Sequence, residues 1–289
     1  MLLEYHRRGF IPGAHEEEHA FLQRVGYCLD LRNVLPIAAE ESSMQTALLS
    51  CKECCPTALD CLMERYDLAP DWALLLFSNF RLAPWHGGCA CIFQLKEGAP
   101  TAALLQLRTA FKKKAYYLGI YGRDELIAHE LVHVCRMMLN EPKFEELLAY
   151  NLSCAPLRRL LGGLVQSSKE SLLLILLLLA IIGVDLYSLY SGALQAVAAS
   201  CWLKAAGLTL VAIGALRLFW RHKQLQRCLK NIAEVIQEKD RAEAVAVRLR
   251  DEEIASFACL SSQAIASYAR EAATGSLRWR LIYNAYFKK

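Results

Sequence analysis

Three absences narrow what this 289-residue chain can be. No sustained apolar stretch follows the opening Met-Leu-Leu-Glu-Tyr-His-Arg-Arg, so a secretory signal peptide is not expected there. The basic residues are scattered along the chain and the net charge is only +4, which gives no footprint for nucleic acid; no nucleic-acid partner is expected. Internal repeats are lacking, and apart from one leucine run there is no low-complexity tract, so a repeat architecture is not indicated.

What is present points elsewhere. The chain is long enough for one soluble domain of moderate size plus further elements. Hydrophobic residues make up 55%, and mean hydropathy is +0.22, above the usual globular range, which indicates membrane-embedded segments. Twelve cysteines without a leader suit free thiols in a reducing cytoplasm.

The most informative stretch is Asp124 to Tyr150. It holds His-Glu-x-x-His at His129, Glu130 and His133. Residues four apart on a helix lie one turn above each other, so His129 and His133 can offer two imidazole nitrogens to one metal ion. Glu130 beside them is placed to take a proton from water on that metal. The helix is expected on independent grounds. Asp124 is an N-cap candidate, Leu126, Ile127, Leu131, Val134 and Met138 form an apolar stripe, and Asn140 with Pro142 ends the helix.

A catalytic zinc needs a third protein ligand and one open position. Phe144 to Tyr150 reads as a second helix, antiparallel to the first. At about 1.5 Å per residue, His133 lies roughly 9 Å from the end of its helix and Glu146 roughly 6 Å from the start of the next, depths that suit one ion. Glu146 is therefore the expected third ligand, and Glu145, about 100° round the helix, the second choice. Tyr150 is expected near His129, where its hydroxyl can accept the other ring N–H.

These residues resemble the gluzincin superfamily of zinc metallopeptidases, whose second motif commonly runs Glu-x-x-Ala-Asp; here it is Glu146-Leu-Leu-Ala149-Tyr150. The resemblance implies Zn²⁺ held by His129, His133 and Glu146, with Glu130 as general base. Tyr150 stands where that family commonly has the Asp that orients the first His, and Tyr150 is also a candidate to stabilise an oxyanion. Only twelve residues separate His133 from Glu146, fewer than in many members. The resemblance covers about thirty residues of the chain, and it implies a zincin-like α+β domain.

The remaining chain is read around that centre. His15-Glu-Glu-Glu-His19 matches the motif a second time, but its three glutamates suit a solvated surface helix better than an accessory metal site. Gly26 to Tyr66 looks helical. Within and after it, Cys51, Cys54, Cys55, Cys61, Cys89 and Cys91 allow a structural zinc site, although small buried thiols are the simpler reading. Ala73–Phe80, Cys89–Leu95, Thr101–Phe111 and Ala115–Tyr121 read as strands of a small antiparallel-type sheet. Trp85 to Phe93 is the candidate edge strand for binding extended substrate, because its Gly87-Gly88 pair allows close backbone approach.

Beyond the second site helix an apolar block extends from Ser167 to Tyr187 or Tyr190, and a second from about Ala198 to Trp220. Each is long enough for roughly 30 Å of hydrocarbon. Asp185 and Lys204 fall at similar depth and can pair; Tyr187, Tyr190 and Trp202 suit one interface and Trp220 the other. Arg158, Arg159 and Lys169 precede the pair, Arg221 and Lys223 follow it, and the Ser191–Ala196 turn is free of basic residues, which puts both termini and the metal site in the cytoplasm. The expected layout is 1–160 as the N-terminal part of the catalytic domain, 167–220 as a transmembrane hairpin and 221–289 as a helical cytoplasmic region. Arg278 and Arg280, in the final aromatic and basic helix, are weak candidates for oxyanion stabilisation.

The function expected is that of a membrane-anchored zinc metalloendopeptidase, with a peptide or protein as substrate and the lipid bilayer as partner. The layout further resembles the inner-membrane heat-shock protease HtpX type and the CAAX-prenyl proteases. Two alternatives belong to other classes: a catalytically inactive zinc-binding scaffold, and a membrane interaction protein without metal.

Overall fold

The computed structural model describes residues 1–35, 48–119, 121–164, 168–192 and 194–288. It is α+β and divides into two compact units, one of Met1–Arg159 with Gln224–Lys289 and the other of Leu160–Lys223. Residues 36–47, within the stretch expected to be helical from Gly26 to Tyr66, lie outside the described residues, as do Ser167 and position 193 of the expected turn.

In the larger unit a four-stranded sheet is formed by β1 (Leu48–Ser50), β2 (Leu74–Phe77), β3 (Gly88–Phe93) and β4 (Ala102–Leu107), in the order β1-β2-β4-β3. Two expectations need correction. Leu48–Ser50 is a strand, not helix, and pairs antiparallel with β2. The sheet is mixed, because β3 returns antiparallel on the outer flank of β4 and so leaves β2 and β4 parallel. The strand expected over Thr101–Phe111 stops at Leu107: Arg108 turns away to donate to the carbonyls of His86 (2.7 Å) and Leu82 (3.1 Å), and Thr109–Lys112 becomes a 3₁₀ turn. In the stretch expected as a strand over Ala115–Tyr121, β5 (Tyr116–Tyr117) pairs antiparallel with β6 (Tyr121–Gly122), with Leu118 and Gly119 between them at φ 52° and 68° and position 120 outside the described residues. The edge strands are β1 and β3, and the expected Trp85–Phe93 candidate contains the latter. A Cβ on Gly88 would lie 2.6 Å from the Gln106 carbonyl, and one on Gly87 2.8 Å from Leu126, so bare backbone is needed there.

The first site helix, Arg123–Arg136, packs its Ile127, Leu131, Val134 and Cys135 into the core between the sheet and the helix Pro56–Tyr66. Each large apolar side chain buried there contributes roughly 1.5–3 kcal/mol. Its N-cap is Gly122 rather than Asp124; Asp124 and Glu125 lie in the first turn, where negative charge complements the exposed N–H groups. After the helix Asn140 takes φ 49°, a conformation an Asn tolerates, and Pro142 opens the second site helix, Pro142–Tyr150. That helix is capped from far away in sequence: the Asp251 carboxylate accepts from the backbone N–H of Lys143 (2.7 Å) and Phe144 (3.2 Å).

The C-terminal part of this unit is helical, with Ala242–Ala246, Asp251–Phe257, Ser262–Gly275 and Leu277–Ile282. Its buried centre is Glu253, whose oxygens accept from Arg278 (2.7 and 2.8 Å), Trp279 (2.7 Å) and the Arg250 N–H (2.7 Å). Arg278 is thus committed to a structural ion pair and is not a free oxyanion donor. Arg280 is also engaged, with Glu18 at the surface.

The second unit contains Ser168–Ser191 and the membrane-length part of Leu194–Ile236, two helices long and apolar enough to cross a membrane. The most apolar window of the first is 0% buried, so a soluble core does not account for its composition. Asp185 pairs with Lys204 at 2.9 Å and also accepts from Ser200, while Arg217 reaches Glu170 at 3.1 Å. These four charges are therefore neutralised in two pairs.

Candidate metal centre

Because the first site helix has regular backbone geometry, His129 and His133 project from the same face, and their Nε2 atoms lie 3.3 Å apart. The second site helix brings Glu146 against both: one carboxylate oxygen is 3.6 Å from His129 Nε2 and the other 3.6 Å from His133 Nε2. Among the described residues this is the group of histidine, cysteine and carboxylate side chains that could hold a metal ion. Four ligands about 2.0–2.1 Å from a tetrahedral ion stand about 3.3–3.4 Å from one another. The two imidazole nitrogens stand at that separation, each has a different Glu146 oxygen 3.6 Å away, and one atom from each of the three residues lies within 4.8 Å of the other two; imidazole nitrogen with carboxylate oxygen is a donor set suited to a divalent cation of intermediate softness.

Glu145 and Glu146 are neighbours with different tasks. Glu145, the second-choice ligand, accepts a hydrogen bond from His133 Nδ1 at 2.7 Å. That proton position leaves the Nε2 lone pair free to bind a metal, the usual outer-sphere arrangement for a ligating imidazole. Replacing Glu145 with Gln is expected to weaken metal binding by about 10–100-fold without removing it, measured by competition with a chromogenic chelator.

In the metal-free protein the two imidazoles titrate in opposite directions. Burial and the neighbouring His133 push His129 down to about 3. Burial acts the same way on His133, yet the hydrogen bond to Glu145 and the carboxylates of Glu130, Glu146 and Glu145 outweigh it and raise His133 to about 9. The extra stability from that protonated His133 is complete below pH 6.5 and is lost as pH rises through about 9. A cation entering at neutral pH must displace this proton. Calorimetric titration with Zn²⁺ in buffers of different ionisation enthalpy should show close to one proton released per ion at pH 7.5, and less above about pH 9.

Glu130 is buried on the other flank of His129, and its Oε2 accepts the N–H of Ala90 at 2.8 Å. Burial raises its pKa, opposed by His133 and by that N–H. Ala90 belongs to the edge strand, so one hydrogen bond ties the free margin of the sheet to the motif glutamate. The Tyr150 ring meets the His129 ring edge-on at 4.5 Å between centroids. Among the described residues no hydrogen bond joins them, so the contact is one of packing. A cleft opens over these groups, lined also by Trp85, His86, Tyr121, Leu126 and Arg158. His86 and Tyr121 are polar side chains in it that sequence reasoning did not single out; the two glycines directly after His86 were the available signal.

The other candidates do not assemble. Within the His15–His19 match the helix begins only at Glu18, leaving His15 on a turn, and Glu16 is taken up by Arg24 at 2.7 Å. Cys54 and Cys55 are 3.3 Å apart, and Cys89 and Cys91 are 3.7 Å apart, but among the described residues no metal-ligand group includes a thiol. All twelve cysteines are free. Comparison of the chain with protein-family models, with curated proteins and with solved structures finds no match to any of them.

Proposed function

We propose that this protein is a membrane-anchored zinc metalloendopeptidase of gluzincin type. The observation that carries the reading is the convergence of His129, His133 and Glu146, one donor atom of each within 4.8 Å of the others, with the buried carboxylate of Glu130 alongside. Zinc bound there would supply a Lewis acid that acidifies water and polarises a peptide carbonyl. With such an ion bound, Glu130 would be the side chain to take a proton from the attacking water and hand it to the departing amine, and burial raises its pKa in the direction that favours carrying a proton. His86, Tyr121 and Tyr150 are the cleft side chains able to donate to a developing oxyanion.

Substrate is an extended peptide laid along β3. That strand is one of the two edges of its sheet, its Ala90 N–H is donated to Glu130, and strand addition would pair the rest of its outer margin. The two apolar helices anchor the enzyme in a bilayer, with the metal site on the cytoplasmic side according to the basic residues flanking them. Purified full-length protein should contain about one zinc per chain and cleave casein in a chelator-sensitive manner, and His129→Ala should lose both. Zinc bound without cleavage would favour an inert scaffold; no zinc in the wild type would end the metal reading.

A further inference from the structure

The margin of the cleft carries a second feature that the metal chemistry does not use. Phe80, Trp85, Tyr116 and Leu118 are 70%, 46%, 63% and 60% exposed. These side chains are not on a slack segment. Gln106 Nε2 donates to the Phe80 carbonyl at 2.8 Å, Tyr117 Oη donates to the Pro84 carbonyl at 2.6 Å, and Asn79 and Thr109 exchange hydrogen bonds of 2.9 and 3.2 Å. The loop after β2 and the β5–β6 hairpin are thereby fastened together, and their apolar tips are held out into solvent.

Charge gathers on the same elements. Although the chain as a whole has 33 basic and 29 acidic residues, the stretch from Ser78 to Arg123 holds seven basic residues and a single acid, Glu97. Basic residues that look scattered over the full length are thus locally concentrated. Arg81, Lys112, Lys113 and Lys114 are exposed, and among the described residues none of them pairs with a carboxylate. Protruding aromatic and aliphatic tips ringed by unpaired cations match the chemistry of an anionic lipid surface, where the rings settle at headgroup level and the ammonium groups meet phosphates and carboxylates.

We propose that the Ser78–Gly87 loop, Lys112–Lys114 and the β5–β6 hairpin form a docking face for an anionic phospholipid layer. A lipid is favoured over a nucleic acid because aliphatic Leu118 stands at the hairpin tip and the same chain carries two helices of membrane-crossing length. Trp85 belongs both to this face and to the cleft wall, so docking holds the cleft mouth at the headgroups and directs it to chain segments emerging from the bilayer. The inference holds whether or not the metal site is catalytic.

The test uses the full chain in nanodiscs of phosphatidylcholine alone, or of two-thirds phosphatidylcholine and one-third phosphatidylserine, read by amide hydrogen exchange. Exchange across 79–86 and 113–119 should slow by about tenfold in the anionic discs, and the protection should fall away in about 0.5 M sodium chloride. The triple substitution Lys112→Glu, Lys113→Glu, Lys114→Glu should abolish it, while Ala102–Leu107 exchanges as in the wild type and reports an intact sheet. Leu118→Ser should reduce it without a change of charge. Equal exchange in both discs, protection indifferent to salt, or the same protection produced in neutral detergent by a single-stranded oligonucleotide would overturn the proposal.

Discussion

Glu130→Gln is expected to keep its zinc and lose about 10²–10⁴ in the rate of peptide hydrolysis. The side chains that could hold an ion, His129, His133 and Glu146, are untouched by this change, and the amide oxygen of Gln can still accept the Ala90 N–H that the carboxylate accepts at 2.8 Å. Metal content and fold are therefore preserved while the capacity to take a proton is removed. Measuring zinc stoichiometry and casein cleavage on the same preparation separates the outcomes. Unchanged cleavage would remove Glu130 from the chemistry, and lost zinc would mean that the variant had disturbed the ligand helix instead.

A comparably large effect, on stability, is expected at Glu253. Its carboxylate is the acceptor for both terminal nitrogens of buried Arg278, for Trp279 and for the Arg250 N–H, and Tyr268 adds a hydrogen bond at 3.2 Å. Glu253→Ala leaves a guanidinium inside the protein without its counter-charge, a change that costs about 3–5 kcal/mol. In a unit of this size the thermal midpoint should drop by about 10 °C, measured by circular dichroism in detergent. The acid dependence has a definite sign. Burial disfavours the Glu253 carboxylate, but Arg278 outweighs it and the pKa lies below the ordinary 4.5. The contribution is therefore present above pH 4.5 and disappears as pH falls through the lowered value, so wild type and Glu253→Ala should converge in stability at low pH.

The paired histidines were legible in the sequence because their pairing depends only on helical periodicity: four residues make about one turn, whatever surrounds them. The same holds for the second helix after Pro142 and for the two apolar helices, which are marked by composition over many residues. The strands were found roughly, and their ends were not. Leu107 ends β4 because Arg108 is needed by carbonyls more than twenty residues earlier, a demand no local pattern displays. Leu48–Ser50 became strand because β2 offered it a partner. The two cysteine pairs could not be judged from spacing alone, since a shared metal depends on where separate elements come to rest.

By itself the sequence determined the helix-borne donors, His129 and His133, the base candidate Glu130, and the length and polarity of the apolar helices, all of which follow from repeating backbone geometry and side-chain chemistry. Tertiary structure alone decided that Glu145 takes the Nδ1 side of His133, the contact from Ala90 to Glu130 and the capping of the second site helix by Asp251. The physical reason is that adjacent carboxylates on a helix differ only in direction. Which imidazole nitrogen each of them faces depends on how the two helices are rotated against each other, and the second of those helices is capped by Asp251, more than a hundred positions away.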